Sequence, residues 1–518
     1  MMDVGRNALY FDDYVLSIQY FNRVILAKPY LYEPYFYRAL AKFYLEDYLG
    51  AEQDCTRAIE INPFYPNTYE VRGLSRINMG KYDLAERDYA MATHVQPENR
   101  SAWHNWVLCN IEIDSLDHAD SISNAIISRW PRHADGYALK SQIKLSQKDT
   151  LAAENYIDSA LVADRFNVPS LSMKASFLMN REDWTGADST LTEAIRLQPK
   201  NARNLINRAL SRYHQNKLRG AMDDYDLALD IDPTNFVGHY NRGLLRAGVG
   251  EDNLAIEDFD FILKIDPTDV MAIYNRAELL MQTGDYRAAI RDYTTLIQTY
   301  PNFLQGYVRR AEARRMSGDQ RGALRDEEHV LREQVAHRYG YQSKAGRTAS
   351  TRKKSEINLE EYQKLVVDDE EVKDYESEYR GKIQNKEADT RLLPPLSIAS
   401  YRAVASAPNP YFDTALEHLL VEEYEPAILD FTEAISQQPD VAEAYYNRAY
   451  AYAMTNKYFL ALQDLDRAVV LRPQFAQAFF NRGIVRILSG DAKAATPDLS
   501  TAGELGIYQA YSIIKHIR

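Results

Sequence analysis

The chain has 518 residues and a formal net charge of −13. This acidic balance disfavours the phosphate backbone of nucleic acids as a general partner. Its two cysteines, Cys55 and Cys109, are too few for a disulfide scaffold. No run of about 18 apolar residues is present, so the sequence predicts no helix that crosses a membrane.

Three copies of one pattern follow each other between residues 207 and 301. Each copy opens with asparagine, arginine and a small residue, and 34 residues separate one opening from the next (241 − 207, 275 − 241). Each copy then has small or apolar residues at constant offsets and closes on a proline. The copies are Asn207-Arg208-Ala209 with Ala221, Tyr225, Ala228 and Pro233; Asn241-Arg242-Gly243 with Ala255, Phe259, Ile262 and Pro267; and Asn275-Arg276-Ala277 with Ala289, Tyr293, Leu296 and Pro301.

Each copy predicts a pair of antiparallel helices. It contains two apolar-periodic stretches of roughly a dozen residues, the length of an ordinary helix. With Ala202 as unit position 1, small residues at positions 8 and 20, such as Ala209 and Ala221, allow the two helices to approach closely. Gly284-Asp285 predicts the end of one helix and the cap of the next. One such pair cannot bury its own apolar faces, so neighbouring pairs must stack.

This period, with its small residues and closing proline, resembles the tetratricopeptide repeat (TPR). The array is also similar to long TPR proteins exported by Gram-negative bacteria. The resemblance implies an all-α fold, a right-handed TPR superhelix (α-solenoid) of about 13 helix-turn-helix units. It also implies a protein or peptide partner. No cofactor is expected, and no metal either, because the ten histidines show no H-E-x-x-H or C-x-x-C partner.

In chain order, residues 1–337 predict an N-terminal array of about ten units. Residues 338–407 predict a charged insert that is partly extended or disordered, with a mobile loop over 343–355 and an extended stretch over 392–401 around Pro394-Pro395. Residues 408–506 predict three more units, and 507–518 predict a capping helix. The closing positions of the first array are Pro29, Pro63, Pro97, Pro131, Arg165, Pro199, Pro233, Pro267, Pro301 and Val335.

The first unit is clipped, because Met1 falls at unit position 4, inside a helix. We therefore expect a periplasmic or exported protein if an N-terminal signal has been removed, and a cytoplasmic protein otherwise.

Arginine at unit position 7 accompanies aspartate at position 23 in eight units. We predict ion pairs between the two helices, within one unit or across to the next. If these are surface pairs, each stabilises the fold by about 0.2–1 kcal/mol and mainly fixes register. The alternative is two independently solvated charges. The central three pairs are Arg208–Asp224, Arg242–Asp258 and Arg276–Asp292.

Units four to six break this rule, with Trp106, Lys140 and Lys174 at position 7. The four tryptophans of the chain, Trp103, Trp106, Trp130 and Trp184, lie in the same region. Two interpretations are open: the aromatic rings pack as ordinary core, or they form a patch for a partner.

In TPR proteins the first helix of each unit lines a concave groove, around unit positions 2, 5, 9 and 12–13. Asparagine recurs at position 6, and its amide can both donate to and accept from an extended peptide backbone. A hydrogen bond to the neighbouring repeat is the equal alternative. The predicted groove residues are Phe36, Tyr44, His104, Asn207, Tyr213, Tyr240, Asn241, Tyr274, Asn275 and Met281; position 6 is also asparagine at Asn105, Asn447 and Asn481.

Motifs for chemistry are nearly absent from the sequence. Ser141-Gln142-Ile143-Lys144 matches S-x-x-K, but Ser141 occupies the small position 8 of a repeat. No nucleotide-binding loop or nucleophile elbow occurs. We therefore predict no catalytic residue and a non-enzymatic scaffold or adaptor that binds an extended peptide or a partner helix. The alternatives are an enzyme or accessory subunit with its chemistry in the insert, and an RNA-binding helical-repeat protein, which the acidic charge disfavours.

Overall fold

The computed structural model describes residues 1–338, 393–399 and 409–517, with side chains through residue 335 in the first range. The predicted loop over 343–355 lies outside the described residues. Within them the regular structure consists of 27 helices and no strand, which confirms the all-α class. None of these helices is both long and apolar enough to cross a membrane.

The helices α1 to α20 are Met2–Tyr10, Tyr14–Ala27, Glu33–Tyr44, Tyr48–Ile61, Pro66–Asn78, Tyr82–Val95, Arg100–Glu112, Leu116–Arg129, Ala134–Ser146, Thr150–Ala163, Val168–Asn180, Trp184–Leu197, Ala202–His214, Leu218–Ile231, Phe236–Gly248, Asp252–Ile265, Val270–Thr283, Tyr286–Thr299, Leu304–Met316 and Gln320–Arg338. The helices α21 to α27 are Pro410–Leu420, Tyr424–Gln437, Ala442–Met454, Tyr458–Leu471, Ala476–Leu488, Ala492–Glu504 and Gln509–His516. We call α21–α27 the C-terminal lobe.

Local sequence explains where the helices begin and end. Asp269 caps α17, because its carboxylate accepts a hydrogen bond from the Ala272 backbone N–H at 2.7 Å. Gly284 ends the same helix with a φ of 85°, a left-handed conformation that glycine adopts without strain. The next residue, Asp285, caps α18 through the Ala288 N–H at 3.1 Å. Gly284-Asp285 therefore acts as stop and cap, as predicted.

The small residues lie where two helices touch. Ala209 and Ala221 are completely buried between α13 and α14, and Tyr225 fills the remaining space beside them. In an earlier unit a Cβ atom added to Gly73 would lie 2.9 Å from the ring of Tyr89. Such close approach explains why this position of the repeat accepts only small side chains.

Contacts divide the chain into two compact units, Met1–Ala153 with Gly381–Arg518, and Glu154–Arg380. The limits predicted from the repeat pattern, at 337, 407 and 506, stay a prediction. In the second unit, apolar side chains from α15 to α19 form one continuous cluster, from Tyr240 to Ala313. Stacked pairs therefore share a core along the array, as repeat architectures require.

In the first unit, the C-terminal lobe packs against the first helices of the chain. Helix α26 contacts α4. One apolar cluster contains Ile18 and Ala41 from the N-terminal helices together with Ile484 and Ile514 from the lobe. Tyr511 and Ile514 of α27 are buried, so this helix covers the apolar surface at the end of the lobe.

Candidate functional site

Each arginine of the predicted pairs donates hydrogen bonds from two nitrogen atoms, Nε and Nη2, to its aspartate. Arg208 donates from Nη2 to Asp224 at 2.6 Å and from Nε at 2.9 Å. Arg276 donates to Asp292 in the same way, at 2.6 and 2.8 Å. This bidentate geometry is that of a strong, charge-assisted pair. The third pair, Arg242–Asp258, has Nη2 at 2.7 Å.

The sequence analysis missed a second partner of these arginines. The remaining nitrogen, Nη1, reaches back 16 residues to position 25 of the preceding unit. Arg242 Nη1 lies 2.8 Å from Asp226, and Arg276 Nη1 lies 2.7 Å from Asp260. The same contact occurs in the other units as Arg38–Asn22, Arg72–Thr56, Arg208–Thr192, Arg310–Thr294, Arg448–Thr432 and Arg482–Asp466. The pair is therefore formed within one unit, while the arginine also joins it to its neighbour.

The treatment of these contacts as surface pairs is wrong for the aspartates. The three carboxylates are buried, and Asp258 is only 2% exposed. Asp258 also lies 2.8 Å from His239 Nδ1 and 2.8 Å from Arg246 Nη1. Burial alone would raise the pKa of Asp258, but hydrogen bonds from His239 and Arg242 outweigh it and the pKa is lowered. A buried carboxylate that loses such partners is strongly destabilising, so the surface value underrates the contact.

The two lysines at position 7 pair with other acids. Lys140 lies 2.8 Å from Asp120 and donates to Asn124 at 2.7 Å. Lys174 lies 2.8 Å from Asp158 and 3.1 Å from Glu154. The ion pair is thus kept in these units with different acceptors.

The tryptophans pack in part on the apolar core. Trp103 lies 5.5 Å from Trp106 and 6.4 Å from Trp130, between ring centroids, and all three contact one buried cluster. Trp106 also donates from Nε1 to Glu86 at 2.7 Å. Trp184 stacks on His214 at 3.9 Å. These contacts support the packing interpretation.

The predicted groove residues differ greatly in exposure. Tyr240 and Tyr274 are only 1% and 5% exposed and belong to the apolar cluster of their unit. Phe36 is also buried, against the ring of Tyr65 at 5.1 Å. Tyr44 is half-exposed, at 51%. The set of ten is therefore a mixture of core and surface side chains.

The other groove residues divide in the same way. Tyr213 is exposed at 38%, and Met281 packs at the edge of a core cluster. His104 is half-buried, and burial lowers the pKa of its imidazole. The asparagines at position 6 are buried: Asn207, Asn241 and Asn275. Asn275 donates from Nδ2 to the Met271 carbonyl at 3.0 Å.

The C-terminal lobe contains the most informative site, and the predicted set did not include it. Residues 393–399 contain no helix and run along α23 and α25. Asn447 donates to the Ala399 carbonyl at 2.9 Å and accepts from the Ala399 N–H at 2.8 Å. Asn481 does the same with Ser397, at 2.8 and 3.3 Å. Each amide thus makes both of the hydrogen bonds that a strand neighbour would make.

Side chains of the 393–399 segment also contact the lobe. The Ser397 and Tyr446 hydroxyl oxygens lie 2.6 Å apart. Burial raises the pKa of Tyr446, so its hydroxyl stays neutral. Leu396 packs against two apolar clusters and Ile398 against a third. Residues 394–399 have neither helix nor turn, and the extended conformation over 392–401 stays a prediction.

The described residues hold no group of three or more histidine, cysteine, aspartate or glutamate side chains placed to bind a metal ion. Both cysteines are buried, and burial raises the pKa of the Cys109 thiol to about 12. A thiol in this state is a poor nucleophile.

Antiparallel helix pairs with a constant period define an α-helical repeat protein. Tetratricopeptide repeat family models match residues 173–236, 272–303 and 431–463. The chain is therefore a tetratricopeptide repeat protein. TPR repeats generally mediate protein–protein interaction, and proteins built from them are generally non-enzymatic.

Several solved structures are similar to parts of the chain. PilF of Pseudomonas aeruginosa is 19% identical, with a TM-score of 0.36; the match covers 40% of this chain and 93% of PilF. A TPR protein from Parabacteroides merdae is 20% identical, with a TM-score of 0.34, and the shares are 61% and 98%. The C-terminal part of a TPR protein from Cytophaga hutchinsonii is 14% identical, with a TM-score of 0.30 and shares of 51% and 95%. No curated protein matches the sequence.

Proposed function

We propose that this protein is a non-enzymatic scaffold or adaptor. Its first-helix faces bind an extended segment or a helix of a partner protein, and nucleic acid is not a partner. The observation that carries this proposal is the pair of amide contacts in the C-terminal lobe. Asn447 and Asn481, one repeat apart, hold two alternate residues of an extended chain by backbone atoms alone.

Asparagine also recurs at position 6 of the repeat in the second compact unit of the chain. Asn207, Asn241 and Asn275 follow each other at the repeat spacing on α13, α15 and α17. Because alternate residues of a strand present their N–H and C=O groups to one side, a row of asparagines matches an extended chain. Backbone hydrogen bonds supply affinity without reading sequence, while apolar neighbours supply selectivity.

The experiment is a pull-down from the native source with the full-length chain. The Asn241→Ala and Asn275→Ala double variant should recover at least several-fold less of the specific partner than wild type. The matched control is Asn302→Ala, which changes an exposed asparagine in the loop before α19.

Tyr240 and Tyr274 are poor choices for this test. Both belong to the core cluster, so their truncation would cost about 3–5 kcal/mol and would mix stability with binding. Asn241 and Asn275 are buried as well, although their truncation removes much less apolar volume. Melting curves must therefore establish that the double variant remains folded before its partner recovery is compared with that of wild type. Equal recovery by wild type and the folded double variant would refute the proposed site.

A further inference from the structure

The 393–399 segment has the position and contacts of a bound peptide. It makes four hydrogen bonds through its own backbone with Asn447 and Asn481. Residue numbers rise along the segment as they fall along the repeats, because Ser397 pairs with Asn481 and Ala399 with Asn447. The segment therefore runs antiparallel to the order of the repeats.

The 393–399 segment lies on the surface of the lobe and is not part of its core. None of its seven side chains is buried, and Pro395 and Ser397 are exposed. Its apolar contacts come from four side chains that are partly buried at the surface of core clusters: Leu393, Leu396, Ile398 and Ala399. A second chain with the same chemistry could make every one of these contacts.

The segment also lies at the junction between the two ends of the chain. Leu393 and Leu396 pack against the cluster that contains Ile18 of α2 and Ile484 of α25. Nearby, the buried Lys42 Nζ lies 2.8 Å from Asp54 and 2.5 Å from Glu504 of α26. Leu393 and Leu396 therefore contribute both to the contact of the segment with the lobe and to the apolar contact between the N-terminal helices and the lobe.

We propose that the face of α23 and α25 that carries Asn447 and Asn481 is a binding site for an extended, proline-containing apolar peptide. The 393–399 segment occupies this site as a tethered competitor. This deepens the proposed function and rests on it. A partner segment with a small residue opposite Tyr446 and apolar residues on either side displaces the internal segment. Tethering gives the internal segment an effective concentration of about millimolar, so an external peptide of equal intrinsic strength binds wild type weakly.

The test uses the full-length chain and a fluorescein-labelled synthetic peptide with the sequence of residues 391–401. In fluorescence anisotropy, the Leu396→Asp and Ile398→Asp double variant should bind this peptide about 10- to 100-fold more tightly than wild type. The Ala399→Pro variant is a milder second test. It removes the N–H from which Asn447 Oδ1 accepts a hydrogen bond, and proline favours an extended conformation of the preceding residue. It should give an intermediate gain.

The site is checked by two controls. In the double-variant background, Asn447→Ala with Asn481→Ala should weaken peptide binding at least tenfold, whereas Asn302→Ala should leave it unchanged. A peptide with aspartate at the positions of Leu396 and Ile398 should bind no variant. Melting curves establish that each variant is folded.

Two results would overturn the inference. One is equal peptide affinity of wild type and both segment variants, which would make residues 393–399 a structural connection only. The other is unchanged affinity after both asparagines are replaced. Neither result depends on the native partner, so failure here is distinguishable from failure of the Asn241 and Asn275 pull-down.

Discussion

Arg242 allows a direct comparison of a buried and an exposed acid on the same cation. Its Nη2 lies 2.7 Å from Asp258, which is 2% exposed, and its Nη1 lies 2.8 Å from Asp226, whose side chain is 50% exposed. Asp258→Ala removes the shared acceptor of Arg242, Arg246 and His239. We expect a loss of about 3–5 kcal/mol, because buried donors are left unpaired. Asp226→Ala should cost at most about 1 kcal/mol, because water replaces the lost carboxylate.

The measurement should be local, since a long repeat array does not unfold in one step. Amide hydrogen exchange in α15 and α16 gives the free energy of opening of the helices that carry the pair. The opening free energy should fall strongly in Asp258→Ala and hardly at all in Asp226→Ala. Similar losses in the two variants, or a loss below about 1 kcal/mol for Asp258→Ala, would show that burial does not set the value of these contacts.

Three further changes test other parts of the fold. Burial raises the pKa of Asp269 to about 6, so the folded state holds its proton more tightly and this contribution to stability is lost as pH rises from about 4 to 6. Asp269→Asn keeps the cap and should therefore raise the free energy of opening of α17 by about 1–3 kcal/mol relative to wild type at pH 7 but not at pH 4, by amide hydrogen exchange. Lys42→Ala should speed amide exchange in α26 by about tenfold or more, because Glu504 and Asp54 lose a buried cation; unchanged exchange would contradict the junction. Trp106→Ala should lower the melting temperature and leave partner recovery intact, and the reverse pattern would favour a partner patch.

Much of the local architecture could be predicted from the sequence, because a repeat states the same packing rule many times. Ala209 and Ala221 gave the helix contact, and Gly284-Asp285 gave the turn. The Arg242–Asp258 pairing followed from two residue types that occur together at one spacing. Each of these contacts forms inside a single helix pair, so the period is sufficient to locate it.

Contacts between distant parts of the chain could not be predicted in this way. Lys42 occupies the position where Arg76 and Arg246 pair with their own neighbours, yet one of its partners is Glu504, 462 residues away. A period shows that unit surfaces are alike, and it does not show which surface meets which. The sequence shows a polar residue 16 positions before Arg242. Only the structure shows that Nε and Nη2 of Arg242 pair with Asp258 while Nη1 is directed at Asp226.

The recurrence of asparagine at unit position 6 left two roles open, a hydrogen bond to a neighbouring repeat or a hold on a peptide. In the C-terminal lobe Asn447 and Asn481 make their printed contacts with the backbone of a segment of the same chain, which is the second role with an internal partner. An amide that binds backbone atoms cannot distinguish an internal segment from an external one. The difference between the two must therefore come from tethering and from the apolar side chains beside the backbone. Leu396 and Ile398 supply these apolar side chains. For that reason the segment variants, more than the asparagine variants, decide whether the face is a closed structural joint or a site that a partner can open.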